Sequence, residues 1–274
     1  MHRALLAAAS IVVAYGLGNA SAADLGTRAA PVYKAPPPMA APYSWTGFYV
    51  GGDIGGLWSH SGAGVWDPGP NLFSFGEFPI EGSFHQSAFV GGVHVGYNYQ
   101  FAPTWLAGIE GDWSWTDAKA SFAGPWINTV TGLRPSAGST LSIKENWLSS
   151  VRARVGYLVT PVALVYFTGG AAWGDFDYAA SAQNEPFAAA RYIASSTFSK
   201  TAAGYVLGGG FEYAFWGNWS ARGEYLFYHL STAAATTAFD STGNFPPPTF
   251  PSGFHWNGAT NVNVLRAGVS YKFF

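Results

Sequence analysis

Hydrophobic and polar residues alternate with a period of two along most of this chain, most clearly over residues 87–115. In a first arm Phe89, Val93, Val95, Tyr97, Tyr99 and Phe101 share one face, while Val90, Gly92, His94, Gly96, Asn98 and Gln100 share the other. After the short Ala102-Pro103-Thr104 connection, Trp105, Ala107, Ile109, Trp113 and Trp115 stand against Gly108, Glu110, Asp112 and Ser114. Alternation over about ten residues per arm predicts a hairpin of two half-buried strands. The bulky face has no ionisable group, whereas the glycine-rich face collects His94, Glu110 and Asp112. In a sandwich surrounded by water the bulky face would be the core. Repeated around a closed sheet, with aromatics toward both strand ends, the same pattern describes a barrel that turns its apolar face to lipid and its polar face to a lumen.

The rest of the chain repeats the pattern. Residues 45–58 put Phe48, Val50, Ile54 and Trp58 in one phase and Tyr49, Gly51, Asp53 and Gly55 in the other. Residues 146–158 set Trp147, Val151, Ala153, Val155 and Tyr157 against Ser150, Arg152, Arg154 and Gly156, so two arginines share a face. Over residues 162–178 apolar side chains fall in both phases, and Asp175 and Asp177 mark the odd positions as the inward ones. Residues 200–215 oppose Tyr205, Leu207, Phe211 and Tyr213 to Gly204, Gly208, Gly210 and Glu212; the next strand opposes Trp219, Ala221, Tyr225 and Phe227 to Ser220, Arg222, Glu224 and Tyr228. In the last, Leu265, Ala267, Val269, Tyr271 and Phe273 alternate with Arg266, Gly268, Ser270 and Lys272. Val262 and Val264 break that phase, which calls for a bulge or an apolar cap on the lumen. Eight strands result, joined by three short turns and by four long loops at 59–86, 117–142, 179–199 and 231–258. The predicted fold is therefore all-β: an eight-stranded antiparallel up-and-down transmembrane β-barrel over residues 44–274, with short periplasmic turns and long outer loops.

Composition sharpens this picture. Charged residues make up 10% of the chain and aromatics 18%, far from the roughly 25% charge of ordinary soluble domains. A bilayer offers no hydrogen-bond partners to exposed backbone, so a chain without a spanning helix crosses it only as a closed barrel. Residues 1–22 read as a cleavable signal peptide: Arg3, an apolar run, then Ala20-Ser21-Ala22. Residues 23–43, with Pro31, Pro36, Pro37, Pro38 and Pro42, read as a proline-rich linker. The net charge of −2 argues against nucleic acid as a partner, and the absence of cysteine removes thiol chemistry.

The inward phase gathers Asp53, Glu110, Asp112, Glu212 and Glu224 with Arg152, Arg154, Arg222, Arg266 and Lys272, and His94 beside them. Acids and arginines that meet in a narrow lumen satisfy one another, and inward glycines such as Gly92, Gly96, Gly108, Gly156 and Gly208 leave room for long side chains. An eight-stranded barrel is just wide enough for side chains to fill it, which predicts a plugged interior and a structural charge network. Glu110 and Asp112 would also suit an acid and base pair with His94, but facing arginines hold carboxylates ionised. No nucleophile elbow, zincin or phosphate-loop motif occurs in the chain. His229, with Ser231 nearby, superficially suits a lipid-cleaving enzyme; His60, His85 and His255 fall in or beside loops without metal-ligand spacing. No catalytic residue, cofactor or metal site is assigned.

The run Tyr43-Ser44-Trp45-Thr46-Gly47-Phe48-Tyr49-Val50-Gly51-Gly52 follows a proline-rich leader. Together with Gly108-Ile109-Glu110-Gly111-Asp112, Val151-Arg152-Ala153-Arg154-Val155-Gly156-Tyr157 and Glu224-Tyr225-Leu226, it resembles the alphaproteobacterial outer-membrane β-barrel family. Members are labelled porin-family or outer-membrane immunogenic proteins and are distant relatives of opacity-type barrels. The resemblance covers nearly the whole chain after the leader and implies a non-enzymatic surface protein of the Gram-negative cell outer membrane. Such a protein supports envelope integrity, presents antigenic loops, is inserted by the barrel-assembly machinery and contacts lipid and lipopolysaccharide. A small-solute channel is the alternative, and a lipid-modifying barrel enzyme a more distant one. Members usually finish Tyr-(Arg/Lys)-Phe; here Tyr271-Lys272-Phe273 is followed by Phe274.

Overall fold

The computed structural model describes residues 43–66, 80–123, 140–184, 192–237, 240–242 and 254–273. Residues 1–22, where a signal peptide is expected, residues 23–42 of the expected proline-rich linker, and Phe274 lie outside the described residues. Eight long strands follow one another: β1 (Gly47–Trp66), β2 (Ile80–Ala102), β3 (Trp105–Ala123), β4 (Thr140–Thr160), β5 (Ala163–Asn184), β6 (Tyr192–Trp216), β7 (Trp219–Thr237) and β9 (Phe254–Phe273). A three-residue strand, β8 (Asp240–Thr242), pairs with Ile193–Ser195 at the far end of β6. Each long strand runs antiparallel to its neighbours, β1 pairs with β9, and β5 pairs with β6, so the sheet closes into a ring. Closure leaves no long unpaired edge, as a structure surrounded by lipid requires.

Sequence chemistry sets the three tight turns. Pro103-Thr104 and Pro161-Val162 occupy two of them, where the fixed φ of proline suits a turn and its missing donor costs no ladder bond. In the third, Gly217 takes φ +53°, a left-handed conformation that favours glycine.

Outward residues form three bands. Phe48, Tyr99, Phe101, Trp105, Tyr157, Tyr213, Trp216, Trp219 and Phe273 ring the end that bears the tight turns, and Trp58, Trp113, Trp115, Trp173, Tyr205 and Tyr225 ring the wall above. Between them stand Ile54, Val93, Val95, Ile109, Val151, Phe167, Leu207, Phe211, Leu265 and Val269, all exposed. From Phe48 to Trp58, ten steps at about 3.3 Å with a tilt near 45° give a height of about 23 Å, that of the apolar belt of an outer-membrane barrel.

The strands extend past the upper girdle on every side. Where loops at 59–86, 117–142, 179–199 and 231–258 are expected, the ladders continue to Trp66, Ala123, Asn184 and Thr237 and resume at Ile80, Thr140, Tyr192 and Phe254. Above the bilayer no lipid imposes an apolar outer face, so the alternation fades while the backbone ladder persists. In β5 the even residues Leu164, Tyr166, Ala172, Phe176 and Tyr178 are the buried ones. Asp175 and Asp177 therefore point outward, contrary to the odd-inward expectation. They lie beyond Trp173 and receive hydrogen bonds from Asn146 Nδ2 at 3.2 and 2.8 Å. In β4 a register shift between Glu145 and Trp147 moves the buried phase from even to odd positions, turning Leu141, Ile143 and Glu145 inward.

Candidate functional site

The lumen is filled by three stacked layers. At the periplasmic end Trp45, Leu106, Leu158, Leu164, Tyr166 and Ala214 pack together. Trp45 Nε1 donates to the Pro161 carbonyl at 3.0 Å, and its backbone N–H to Gln100 Oε1 at 3.4 Å. These bonds carry residues just before β1 across the barrel mouth as a stopper, capped by the edge-on ring of Tyr43.

Above it lies a buried ion cluster. Arg152 on β4 bonds Glu110 on β3, Asp112 at 2.9 Å and Glu224 on β7 at 3.0 Å. Arg222 takes Asp53 as a fork, Nε to Oδ1 at 3.0 Å and Nη2 to Oδ2 at 2.9 Å, and its Nη1 reaches Glu110 at 2.7 Å. Arg266 donates twice to Glu224, at 2.9 and 2.7 Å, and once to Asp112 at 3.3 Å. Arg154 binds Glu212 at 3.0 Å and lies 3.9 Å above the Tyr166 ring centre. His94 is wedged between Asp53, with Nδ1 at 2.7 Å, and Ser270, with Nε2 at 2.8 Å. Such charge-assisted and bidentate bonds are the strong ones, and a charge in a closed lumen persists only with partners of this kind.

Ten of the eleven candidate residues thus meet in one cluster: five carboxylates, four guanidinium groups and His94. Lys272 does not join them; near the end of β9, its Nζ lies 5.5 Å from the Tyr43 ring centre at the periplasmic rim. Neutral members escape a search for charges. Tyr49 donates to Glu110 at 2.8 Å, Tyr166 to Glu224 at 3.1 Å, and Ser150 to Asp112 at 2.8 Å. Tyr49 shares the phase of Asp53, which was the available signal. Among the inward glycines, a methyl on Gly268 would overlap Asp53 Oδ1, and one on Gly108 would press on Arg154 Cγ at 3.2 Å.

The third layer is apolar. Leu57, Val90, Leu148, Phe176, Val206, Leu226, Tyr228, Leu230, Val262 and Val264 close the lumen at the level of the outer girdle. Val262 and Val264 keep the inward phase of Arg266 and belong to this cap, with no bulge between them. Glu145 is its anomaly. Two residues beyond Trp147 and opposite Ala118 and Phe176, it is fully buried, with no hydrogen-bond partner for either carboxylate oxygen among the described residues. Burial pushes its carboxyl up to about 8.

On the outer wall His229 Nδ1 donates to Asn261 Oδ1 at 2.7 Å, with its ring beside Tyr205. Asp117 is exposed and bonded to Lys119 and Lys144; these neighbours hold its carboxyl below the usual range.

A closed ring of eight strands, apolar outside and filled with paired charge inside, defines an integral membrane β-barrel. The chain belongs to the outer membrane protein beta-barrel domain family, which matches residues 13–273. It is 32% identical over 244 residues to the 31 kDa outer-membrane immunogenic protein of Brucella melitensis, covering 86% of this chain and 88% of that one. To the 22 kDa outer membrane protein of Rhizobium leguminosarum it is 28% identical over 204 residues, covering 72% and 73%. Among solved structures it is similar to the outer membrane protease OmpT from Escherichia coli, with a TM-score of 0.46, 9% identity and coverage of 86% and 99%. The protein is thus an outer-membrane barrel of a Gram-negative bacterium.

Proposed function

We propose that this barrel is a sealed, non-enzymatic element of the outer membrane that supports the envelope and displays its long outer segments at the cell surface. The observation that carries the reading is the ion cluster, in which Arg152, Arg222 and Arg266 each bridge two or more carboxylates across the lumen. Charges committed to one another in this way are poor conduits and poor acid–base catalysts. The relatives' description as immunogenic outer-membrane proteins supports the display role. Insertion by the barrel-assembly machinery and contact with lipopolysaccharide follow from the same reading.

Deleting the gene tests it. The expected result is greater sensitivity of the cells to detergent, restored by the wild-type chain, with lipid A composition unchanged. Loss of a lipid A modification on deletion, and its loss again on replacing His229 or His94, would instead establish an enzyme.

A further inference from the structure

The strands that climb past the outer girdle bring together histidines that lie far apart in sequence. His60 on β1 stands directly opposite His85 on β2. On the other side of His60 the ladder places Asn261 on β9, and beyond it His229 on β7. His60 and His85 are exposed, two steps above Trp58 on the outer wall and so clear of the apolar belt. Their ring centres are 4.7 Å apart and the planes are inclined at 53°.

That separation matches a shared ligand sphere. An imidazole nitrogen binds zinc at about 2.0–2.1 Å, which puts the metal about 3.2 Å from the ring centre. Two rings at that distance with centres 4.7 Å apart subtend about 95° at the metal, between the 90° of square or octahedral cis positions and the tetrahedral angle. The flanking outward residues Trp58, Ser87 and Asn261 carry no charge, so none of these three supplies the carboxylate oxygen that a hard cation requires. His229 is already tied to Asn261 through Nδ1.

We propose that His60 and His85 form a two-imidazole site for a borderline transition-metal cation of the zinc, copper(II) or nickel(II) class, on the extracellular part of the barrel wall. This goes beyond the sealed-barrel reading and does not depend on it. Among the described residues no group of three or more His, Cys, Asp or Glu is placed to hold a metal. The site therefore takes two protein ligands and completes its sphere with water, which makes it exchangeable rather than structural.

The test uses the full chain without an affinity tag, refolded in detergent micelles and titrated calorimetrically with zinc, copper(II) and magnesium chlorides. One saturable site for zinc and copper, none for magnesium, is expected, and the copper signal in electron paramagnetic resonance carries the coupling of two nitrogens. His60→Ala and His85→Ala each weaken binding about tenfold or more, whereas His229→Ala retains it. Both lost residues are exposed, and heat-modifiable gel migration verifies that the variants fold. No binding by the wild-type chain, magnesium binding equal to zinc, or zinc binding that survives both variants would overturn the assignment.

Discussion

Arg152→Met removes one guanidinium from the middle of the lumen and keeps an unbranched apolar stem in its place. Arg152 is 1% exposed and bonds Glu110, Asp112 and Glu224. Removing one partner of a buried pair costs about 3–5 kcal/mol, because the charge left behind has lost its compensation. Here Arg222, Arg154 and Arg266 still reach the three orphaned carboxylates, so the expected loss is at the lower end, about 3 kcal/mol. With a urea dependence of about 2 kcal/mol per molar, the unfolding midpoint falls by about 1.5 M. Tryptophan fluorescence of the refolded chain in detergent micelles, repeated by gel migration with and without heating, reads the shift. Lys119→Met, which breaks an exposed pair with Asp117, is the comparison and should leave the midpoint unchanged. If the two variants behave alike, the cluster does not hold the barrel together.

Further outcomes follow from the other layers. Trp45→Ala withdraws the buried periplasmic stopper and should cost about 3–5 kcal/mol in the same unfolding assay. Phe167→Arg places a charge on the lipid face, where Phe167 is 81% exposed; near the bilayer midplane that costs about 2–4 kcal/mol in lipid vesicles. Glu145 predicts a pH dependence of definite sign. Its carboxyl is raised from 4.5 to about 8 in the folded barrel, so between these values the folded state keeps a proton that the unfolded chain has released. Stability then falls as pH rises through that window, and the wild-type urea midpoint at pH 5 should exceed that at pH 9 by more than it does in Glu145→Gln. Equal slopes in the two proteins would show that Glu145 does not contribute.

Much of the barrel is legible in the sequence because the bilayer imposes a strict code on the strands that cross it. Phe48 to Trp58 and Phe89 to Phe101 alternate cleanly where one side must be oily, and Asp53, His94 and Arg152 share the glycine phase because only the lumen accepts them. The code weakens where that constraint stops. β5 carries apolar residues on both faces, Leu164 and Phe176 inside the lumen layers and Val165 and Phe167 in lipid, so period two gave no contrast there. Asp175 and Asp177 point away from the lumen there, since above the girdle charge is admissible outside. The β4 register shift at Glu145 leaves no mark in composition. The pairing of His60 with His85 depends on ladder register across 25 residues of chain, which residue spacing does not encode.

Conductance across a planar lipid bilayer bears most directly on the sealed lumen. The refolded full chain, added at concentrations that give insertion by gel and vesicle assays, should produce no stable current steps, because Trp45, the Arg152 cluster and the Phe176 layer each block the axis. Large, long-lived openings of the wild-type protein would contradict the account and make the barrel a channel.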